Sequence, residues 1–149
     1  KDKLDDEMER LGRFGRPLSI LFVDIDNFKQ LNDDYGHLYG DSCLRDLTAL
    51  IRERIVRKVD SLGRYGGEEF MLIMPGIDID GAMSAGERLR QEVEAYNWQK
   101  KPLTVTVGAA TTGEKVPVNT LINQADLAMY YGKKHGKNQL VHWDKLQPS

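Results

Sequence analysis

The sequence is poor in the features that define several large classes of protein. Its 149 residues include one cysteine, Cys43, which excludes an internal disulfide and a cysteine-rich zinc site and favours a reducing, cytoplasmic compartment. No apolar run approaches the length that spans a membrane, and the N-terminus has no signal-peptide pattern. The formal net charge of −2 gives no general attraction for DNA or RNA. We therefore expect no membrane contact and no nucleic acid polymer as partner, so any nucleotide site must be local.

The composition is that of an ordinary globular domain. Hydrophobic residues make up 40% of the chain and charged residues 30%, and 149 residues suffice for one domain with a substantial core. The chain opens on charged residues that are typical of the middle of a helix. We therefore expect 1–149 to be a single domain that forms the C-terminal fragment of a longer protein.

Apolar periodicity predicts the order β-α-β-β-α-β-α-β after an N-terminal helix. This order favours an α+β domain in which helices pack on a largely antiparallel sheet. The predicted strands are 19–23, a hairpin over 62–74, 103–109 and 139–143. The first predicted helix covers 1–13, and a short helical turn at 27–31 is followed by a loop at 32–37. Three further helices are predicted: one capped by Asp41 or Ser42, one from Asp80 to Tyr96, and one opened by Asn119 or Thr120.

The hairpin carries the most informative stretch, Arg64-Tyr65-Gly66-Gly67-Glu68-Glu69-Phe70. The Gly-Gly step predicts a tight two-residue turn with positive φ. A bare backbone admits a phosphate, and paired acids at a strand end can hold a divalent metal against that phosphate. Taken alone, Gly-Gly-Glu-Glu favours the simpler alternative of an exposed acidic turn.

A second acidic cluster changes that balance. The apolar strand 19–23 runs directly into Asp24-Ile25-Asp26. Carboxylates at the end of a buried strand are common at active sites, although a solvated strand end is the alternative. Together the two clusters favour a site for metal and phosphate.

Several motifs in one order resemble the bacterial diguanylate cyclase domains, the GGDEF domains, here in a Glu-Glu form. The resemblance covers about residues 16–143. It rests on 24–29 with Asn32-Asp33, Gly36-His37 and Gly40-Asp41, on 64–70, on 106–109, and on 125–130 with Lys133, Gly136, Lys137 and Asn138. It implies a palm-like nucleotidyl cyclase fold and condensation of two GTP into cyclic di-GMP with release of pyrophosphate. The family's usual opening motif is absent, as expected of a fragment of a longer signalling protein.

The resemblance also implies the metal site and the partners. Asp24, Glu68 and the carbonyl of Ile25 correspond to the ligands of two Mg²⁺ or Mn²⁺ ions per active site. Glu69 corresponds either to a further ligand or to a group in proton removal. We expect neighbouring antiparallel strands to bring Asp24 to the hairpin. Each domain holds one GTP, so a homodimer is needed for catalysis.

For GTP, the resemblance assigns the guanine base to Asn32 and Asp41, although Asp41 has the alternative of a helix cap. Phe28 and Lys29 fall near the phosphate end, with local packing and solvation as their respective alternatives. The bare backbone of Gly66 and Gly67 faces the phosphates.

Lys133 and Lys137 correspond to the phosphate-holding basic pair of the family. Their alternative is to complement the dipole at a helix C-terminus. The sequence departs from the family pattern at two positions, since Gly132 replaces the usual Ala and Lys137 replaces the usual Arg. Lys keeps the charge but loses the bidentate fork of Arg, which predicts somewhat weaker phosphate binding.

A third set of residues resembles the inhibitory product site of the family. Arg57 and Asp60 form its Arg-x-x-Asp pattern in the family register relative to Gly66, and Arg88 corresponds to a secondary contact from another domain. Cyclic di-GMP is thus expected both as product and as allosteric inhibitor.

Two functions remain in competition. An active cyclase is favoured because Asp24, Glu68, Glu69 and the phosphate lysines are all present. The alternative is a catalytically silent module that binds GTP or cyclic di-GMP. A polymerase-like enzyme or cyclase that uses another nucleotide is disfavoured by Asn32 and Asp41.

Overall fold

A five-stranded sheet forms the centre of the computed structural model, which describes residues 2–147. Its strand order is β2-β3-β1-β4-β5, and every neighbouring pair is antiparallel except the parallel pair β4–β5. The predicted α+β domain with a largely antiparallel sheet is confirmed. The strands are β1 (Leu18–Ile25), β2 (Ser61–Arg64), β3 (Glu69–Pro75), β4 (Val105–Thr112) and β5 (Leu140–His142).

Helices cover both faces of this sheet. They are α1 (Asp2–Phe14), α2 (Phe28–Tyr35), α3 (His37–Arg54), α4 (Ile79–Ala95) and α5 (Val118–Lys134), followed by a 3₁₀ turn at Trp143–Leu146. Lys1, the predicted start of the first helix, lies outside the described residues. Within residues 2–147, no helix is both long and apolar enough to cross a membrane.

The burial of strand β1 on both faces explains why residues 20–23 are all apolar. Alternate residues Leu21 and Val23 face the core beneath α3 and α4, whereas Ile20 and Phe22 face the core beneath α1 and α5. Because successive side chains of a strand point to opposite faces, a strand buried on both faces must be apolar throughout.

Close packing of α5 on the sheet depends on Gly108 in β4. A Cβ at this position would overlap the backbone of α5 at Ala125 and Met129. The absence of a side chain therefore lets α5 lie directly on β4, which brings the C-terminal end of α5 to the end of β1.

Several predicted helix boundaries are wrong. Residues 32–35, predicted as loop, belong to α2, and only Gly36 separates α2 from α3. Asp41 therefore lies inside α3 and caps no helix, and the same holds for Ser42. Helix α4 is capped by Asp78, whose side chain accepts from the Gly81 amide at 2.9 Å, and not by Asp80.

The remaining boundaries shift by smaller steps. Helix α4 ends at Ala95, before Tyr96. Helix α5 begins at Val118 after Pro117, so neither Asn119 nor Thr120 opens it. The restricted φ of proline suits the start of a helix, which accounts for this earlier beginning.

The prediction for the hairpin turn is also wrong. Residues 65–68 connect β2 to β3, so the turn is longer than two residues. Neither Gly66 nor Gly67 has a positive φ. The amides of Tyr65 and Gly66 both point to the carbonyl oxygen of Glu69, at 2.9 and 3.5 Å, which closes the wider loop. The two glycines thus serve to expose backbone and are not needed for left-handed geometry.

Candidate functional site

The acidic clusters meet where β1 and β3 lie side by side. Asp24 is the register partner of Glu69, and Glu68 precedes it directly. This confirms the expectation that antiparallel neighbours join Asp24 to the hairpin. Within residues 2–147, the Oδ1 atom of Asp24 is buried and has no hydrogen-bond partner. Burial, reinforced by the charges of Glu68 and Glu69, raises the pKa of Asp24 to about 6, despite the opposing charge of Lys133.

Glu69 experiences a similar environment. Burial raises its pKa above the ordinary value, and the charges of Asp126 and Glu68 act in the same direction. Carboxylates that crowd together at a half-buried edge destabilise one another when ionised. A cation bound between them would relieve that repulsion.

Lys133 supplies a positive charge at this edge. Its Nζ lies 3.4 Å from Oδ2 of Asp24, 3.2 Å from the carbonyl oxygen of Ile25 and 2.8 Å from Oδ1 of Asp26. Asp24 and the Ile25 carbonyl, the two predicted metal ligands on β1, therefore both lie close to the same ammonium group, at a position that favours a cation. This lysine, predicted to hold phosphate, comes from the last turn of α5.

The predicted ligands suit a magnesium ion that takes its other ligands from water and from substrate phosphates. In the part of the chain that the structure describes, no three His, Cys, Asp or Glu side chains form a ready-made metal cluster. Mg²⁺, however, is usually bound through one or two protein carboxylates, with water and substrate phosphates as the other ligands. The unpaired Oδ1 of Asp24 and the nearby Ile25 carbonyl suit this mode of binding.

Sequence reasoning gave no role to Asp26, which is the most connected side chain of the site. It is only 4% exposed and accepts hydrogen bonds from Thr104 Oγ1 (2.7 Å), Thr106 Oγ1 (2.6 Å), Lys133 Nζ (2.8 Å) and the Asn138 amide (2.9 Å). Burial opposes ionisation, but the bonds from Lys133 and the threonines hold its pKa below the ordinary value. The spacing Thr-x-Thr at 104–106 puts both hydroxyls on one face, and it is a sequence signal that could have indicated a shared acceptor.

The predicted guanine residues lie on two successive helices, Asn32 on α2 and Asp41 on α3. Oδ1 of Asn32 is buried, and no hydrogen-bond partner for it exists among the described residues. A Cβ on Gly40 would overlap this oxygen and would lie 3.3 Å from the ring of Phe28. Gly40 thus leaves room for the Asn32 amide, while Phe28 packs locally against the core. Asp41 is exposed.

The other predicted phosphate contacts divide into two groups. Nζ of Lys137 donates to Oδ1 of Asn27 at 2.6 Å, so Lys137 lies at the same edge as Lys133. Lys29 is 93% exposed and only approaches Asp33, at 3.8 Å, as expected of a solvated side chain. Gly66 and Gly67 are exposed in the hairpin loop.

The predicted product residues lie at the opposite end of β3. Arg57 and Asp60 pair with each other, with a shortest distance of 2.6 Å, and Arg57 also donates to the carbonyl oxygen of Pro75 at 2.8 Å. Arg88 instead donates to the carbonyl oxygen of Arg54 at 2.8 Å. A cleft of about 610 Å³ beside Arg57 is lined in part by Arg10 and Arg16.

Comparison with known proteins identifies the family. The model for the family described as "Diguanylate cyclase, GGDEF domain" matches residues 1–139. The chain is 34% identical over 148 residues to diguanylate cyclase DgcP of Pseudomonas aeruginosa, covering 93% of this chain and 21% of that protein. It spans between about a fifth and a third of the length of the curated relatives it matches.

Solved structures share its fold. The GGDEF domain of DgcB from Caulobacter crescentus, determined in complex with c-di-GMP, has a TM-score of 0.91 and 28% identity, covering 96% of this chain and 87% of that one. The active GGEEF domain of a diguanylate cyclase from Vibrio cholerae has a TM-score of 0.89 and 26% identity, covering 97% and 92%. The chain therefore belongs to the GGDEF domain family and has the palm-like fold of nucleotidyl cyclases.

Proposed function

We propose that the chain is the catalytic domain of a diguanylate cyclase, which condenses two GTP into cyclic di-GMP and pyrophosphate. The observation that carries this proposal is the meeting of Asp24 with Glu68 and Glu69 beside the Lys133 ammonium group. The relatives support it, since DgcP is named a diguanylate cyclase and the Vibrio cholerae domain is described as active with the same Gly-Gly-Glu-Glu-Phe motif.

Asp24, Glu68 and the carbonyl of Ile25 would hold Mg²⁺ or Mn²⁺, two ions per active site, with substrate phosphates completing the ligand set. When bound, such ions would neutralise the triphosphate and would make the proton of the attacking 3′-hydroxyl easier to lose. Glu69 is either a further ligand or the proton acceptor.

The lysines and the hairpin loop would bind the phosphates. Lys133 can exchange its contact with Asp24 for a phosphate oxygen while Asp26 continues to hold it. Lys137 lies at the same edge, and the exposed backbone of Gly66 and Gly67 lets the phosphates approach.

Asn32 and Asp41 would select the base. Oδ1 of Asn32, which has no hydrogen-bond partner among the described residues, is an acceptor. Guanine presents N1–H and N2–H₂ as donors, and a carboxylate or an amide oxygen can accept hydrogen bonds from them. Adenine lacks this pair of donors. Because Asp41 caps no helix, its carboxylate is available to a ligand.

Catalysis requires a second copy of the domain. Each domain holds one GTP, and in the face-to-face homodimer the 3′-hydroxyl of one nucleotide attacks the α-phosphate of the other. This alignment of two bound substrates supplies much of the rate enhancement. We place the protein in the cytoplasm, as part of a longer signalling protein.

Cyclic di-GMP would also act as an allosteric inhibitor at Arg57, Asp60 and Arg88. Arginine forks onto guanine acceptors and stacks on base faces, so product bound between two domains would hold the GTP half-sites apart. Arg57 is separated from Asp24, Glu68 and Glu69, which together form the acidic edge of the sheet. This separation supports inhibition that is not competitive with GTP.

Incubation of the chain with GTP and Mg²⁺, followed by identification of the products, tests the proposal. We expect cyclic di-GMP and pyrophosphate from GTP, no product from ATP, and loss of product in Glu68→Ala. Binding of GTP or cyclic di-GMP without turnover would instead establish the silent binding module. Asp41→Ala should weaken GTP binding by about 1–3 kcal/mol, and unchanged affinity would remove Asp41 from the base site.

A further inference from the structure

The turn between α5 and β5 has an unusual backbone. Gly136, Lys137 and Asn138 are three successive residues with positive φ, at 117°, 60° and 44°. Residues with a side chain resist this region, although Asn tolerates it better than most. Such a conformation persists only where surrounding groups determine it. The turn matters because it carries Lys137 and directly follows the helix that carries Lys133.

Asn138 is held by groups from two other parts of the fold. Its backbone amide donates to Oδ2 of Asp26 at 2.9 Å. Its side-chain Oδ1 accepts from Nη1 of Arg90 at 3.0 Å, and its Nδ2 donates to Oε2 of Glu94 at 2.7 Å. Both side-chain contacts come from α4, a helix that contributes no residue to the acidic edge.

Arg90 is itself fixed in place. Its side chain is only 16% exposed and forms ion pairs with Glu87 at 2.6 Å and Glu94 at 3.2 Å. The planar guanidinium group holds several acceptors in one geometry, so its remaining donor to Asn138 has a defined direction. Arg90 thus connects the body of α4 to the turn.

We infer that Arg90 is a positioning residue for phosphate binding. It holds Asn138 and thereby fixes the turn. The turn places Lys137 and, through the Asn138 amide, contacts Asp26 beside Lys133. Arg90 donates to the Asn138 side chain, the Asn138 amide donates to Asp26, and Lys133 donates to the same Asp26 carboxylate. This inference rests on the proposed function, because it assigns the two lysines to the triphosphate of GTP. Arg90 itself touches no substrate.

The first test separates phosphate binding from base binding. Affinities are measured for 3′-deoxy-GTP, which lacks the attacking hydroxyl, and for GMP, which lacks the β- and γ-phosphates. We expect Arg90→Ala to weaken 3′-deoxy-GTP binding about tenfold, equivalent to about 1.4 kcal/mol, and to leave GMP affinity within about twofold. Gln91→Ala is the matched control, since Gln91 also donates to Glu87 but, among the described residues, forms no hydrogen bond with the turn. Equal loss for both nucleotides would overturn the inference.

A second test distinguishes positioning from general support of α4. Asn138→Gly tolerates the left-handed backbone but removes both side-chain contacts to α4. If Arg90 acts through Asn138, adding Arg90→Ala to Asn138→Gly will cause little further loss of 3′-deoxy-GTP affinity. An undiminished tenfold loss in the double variant would show that Arg90 acts by another route.

A third measurement needs neither nucleotide nor turnover. Hydrogen exchange of the Asn138 amide reports its bond to Asp26, and we expect faster exchange in Arg90→Ala than in Gln91→Ala. Unchanged exchange in Arg90→Ala would overturn the inference. Failure of the proposed function looks different, because the unmodified chain would then form no cyclic di-GMP from GTP, whether or not it binds 3′-deoxy-GTP, while the exchange result would stand.

Discussion

The two ends of strand β3 carry the two predicted sites, and they are built in different ways. At Glu69, the first residue of β3, groups from β1, β3 and α5 converge on a half-buried acidic edge. At Pro75, the last residue, the Arg57–Asp60 pair joins residues three apart in sequence, and the Arg57 side chain is 44% exposed. Seven residues of strand separate these ends by about 20 Å.

The difference indicates how substitutions at each end of β3 should affect electrostatics and ligand binding. A group at the Glu69 end interacts with charges from distant parts of the chain, so its replacement changes both electrostatics and function. Arg57, at the Pro75 end, has a local partner and solvent, and its replacement should change ligand binding with little effect on the acidic edge. The distance between the ends also means that product and GTP need not compete for the same space.

Asp24→Asn should produce the largest loss of activity and, at the same time, a gain in stability. Removal of the carboxylate that we propose as a metal ligand should lower cyclic di-GMP formation by about 100-fold or more. The folded-state pKa of about 6 exceeds the ordinary 3.8, so the ionised carboxylate destabilises the metal-free protein at neutral pH. We therefore expect Asn to raise the free energy of unfolding at pH 7.5 by about 1–3 kcal/mol. Initial rates and urea denaturation measure the two effects.

Asp80→Asn is the control for this pair of measurements, because Asp80 is an exposed acid in the first turn of α4. A stabilised Asp24→Asn protein that retains near-normal turnover would remove Asp24 from the metal site. A destabilised protein would contradict the electrostatic account of the acidic edge.

Arg57→Ala tests the other end of β3. Loss of a charged hydrogen-bonding group should weaken cyclic di-GMP binding by about 1.5–3 kcal/mol, or about 10- to 150-fold, while initial turnover stays within about twofold. Calorimetry with product and progress curves at several GTP concentrations provide the measurement. Lys58→Ala, in the same exposed turn, is the control. Tight product binding by Arg57→Ala, or displacement of product by GTP, would show that the site is misassigned.

Gly40→Ala should affect the base site with less consequence for the metal site. The added Cβ would displace the Asn32 amide, which we expect to weaken GTP binding about tenfold, or about 1.4 kcal/mol. Ala favours a helix interior over Gly, so α3 itself should remain intact by circular dichroism. Gly113→Ala is the control, since no atom lies within 4 Å of its added Cβ. Unchanged GTP affinity in Gly40→Ala would argue against Asn32 as a base contact.

Elements with a strong local pattern were predictable from sequence. Strand β1 was evident because both its faces are buried, and the acids that follow it marked the functional edge. The start of α3 was missed because it depends on Gly36, whose φ of 89° lets α3 follow α2 without a loop. A polar run such as 32–35, Asn-Asp-Asp-Tyr, is typical of a loop, yet here it completes the exposed face of α2.

The interactions that organise the site were not predictable. Asp26 receives bonds from residues 78 to 112 positions away, and no local pattern specifies such partners. The contact of Arg90 with Asn138 likewise joins residues 48 apart. Motifs indicated which residues matter, but the fold was needed to show which of them act together.

A buried polar chain beneath the Pro75 end refines the comparison and gives the smallest predicted effect. His142, in β5, is 2% exposed, and its Nδ1 accepts from the Asp144 amide at 3.0 Å. The proton of the neutral ring therefore lies on Nε2, which donates to Thr111 Oγ1 at 2.9 Å, and Thr111 in turn lies 2.6 Å from Ser19 Oγ. Burial lowers the pKa of His142 below the ordinary 6.5, with Asp144 opposing and Lys145 adding to the shift.

This shift predicts a loss of stability on acidification. The unfolded chain binds a proton as the pH falls through 6.5, whereas folded His142 resists protonation, so the free energy of unfolding decreases below that pH. We expect this contribution to reach about 1 kcal/mol between pH 7.5 and pH 5.5. Asp24 titrates in the same range with the opposite sign, so the measurement is the difference between wild type and His142→Gln in urea denaturation at both pH values. His135→Gln, at an exposed position, is the control. If His142→Gln shows the same pH dependence as wild type, His142 is not the titrating group, and the Pro75 end has no pH-sensitive core beneath the Arg57–Asp60 pair.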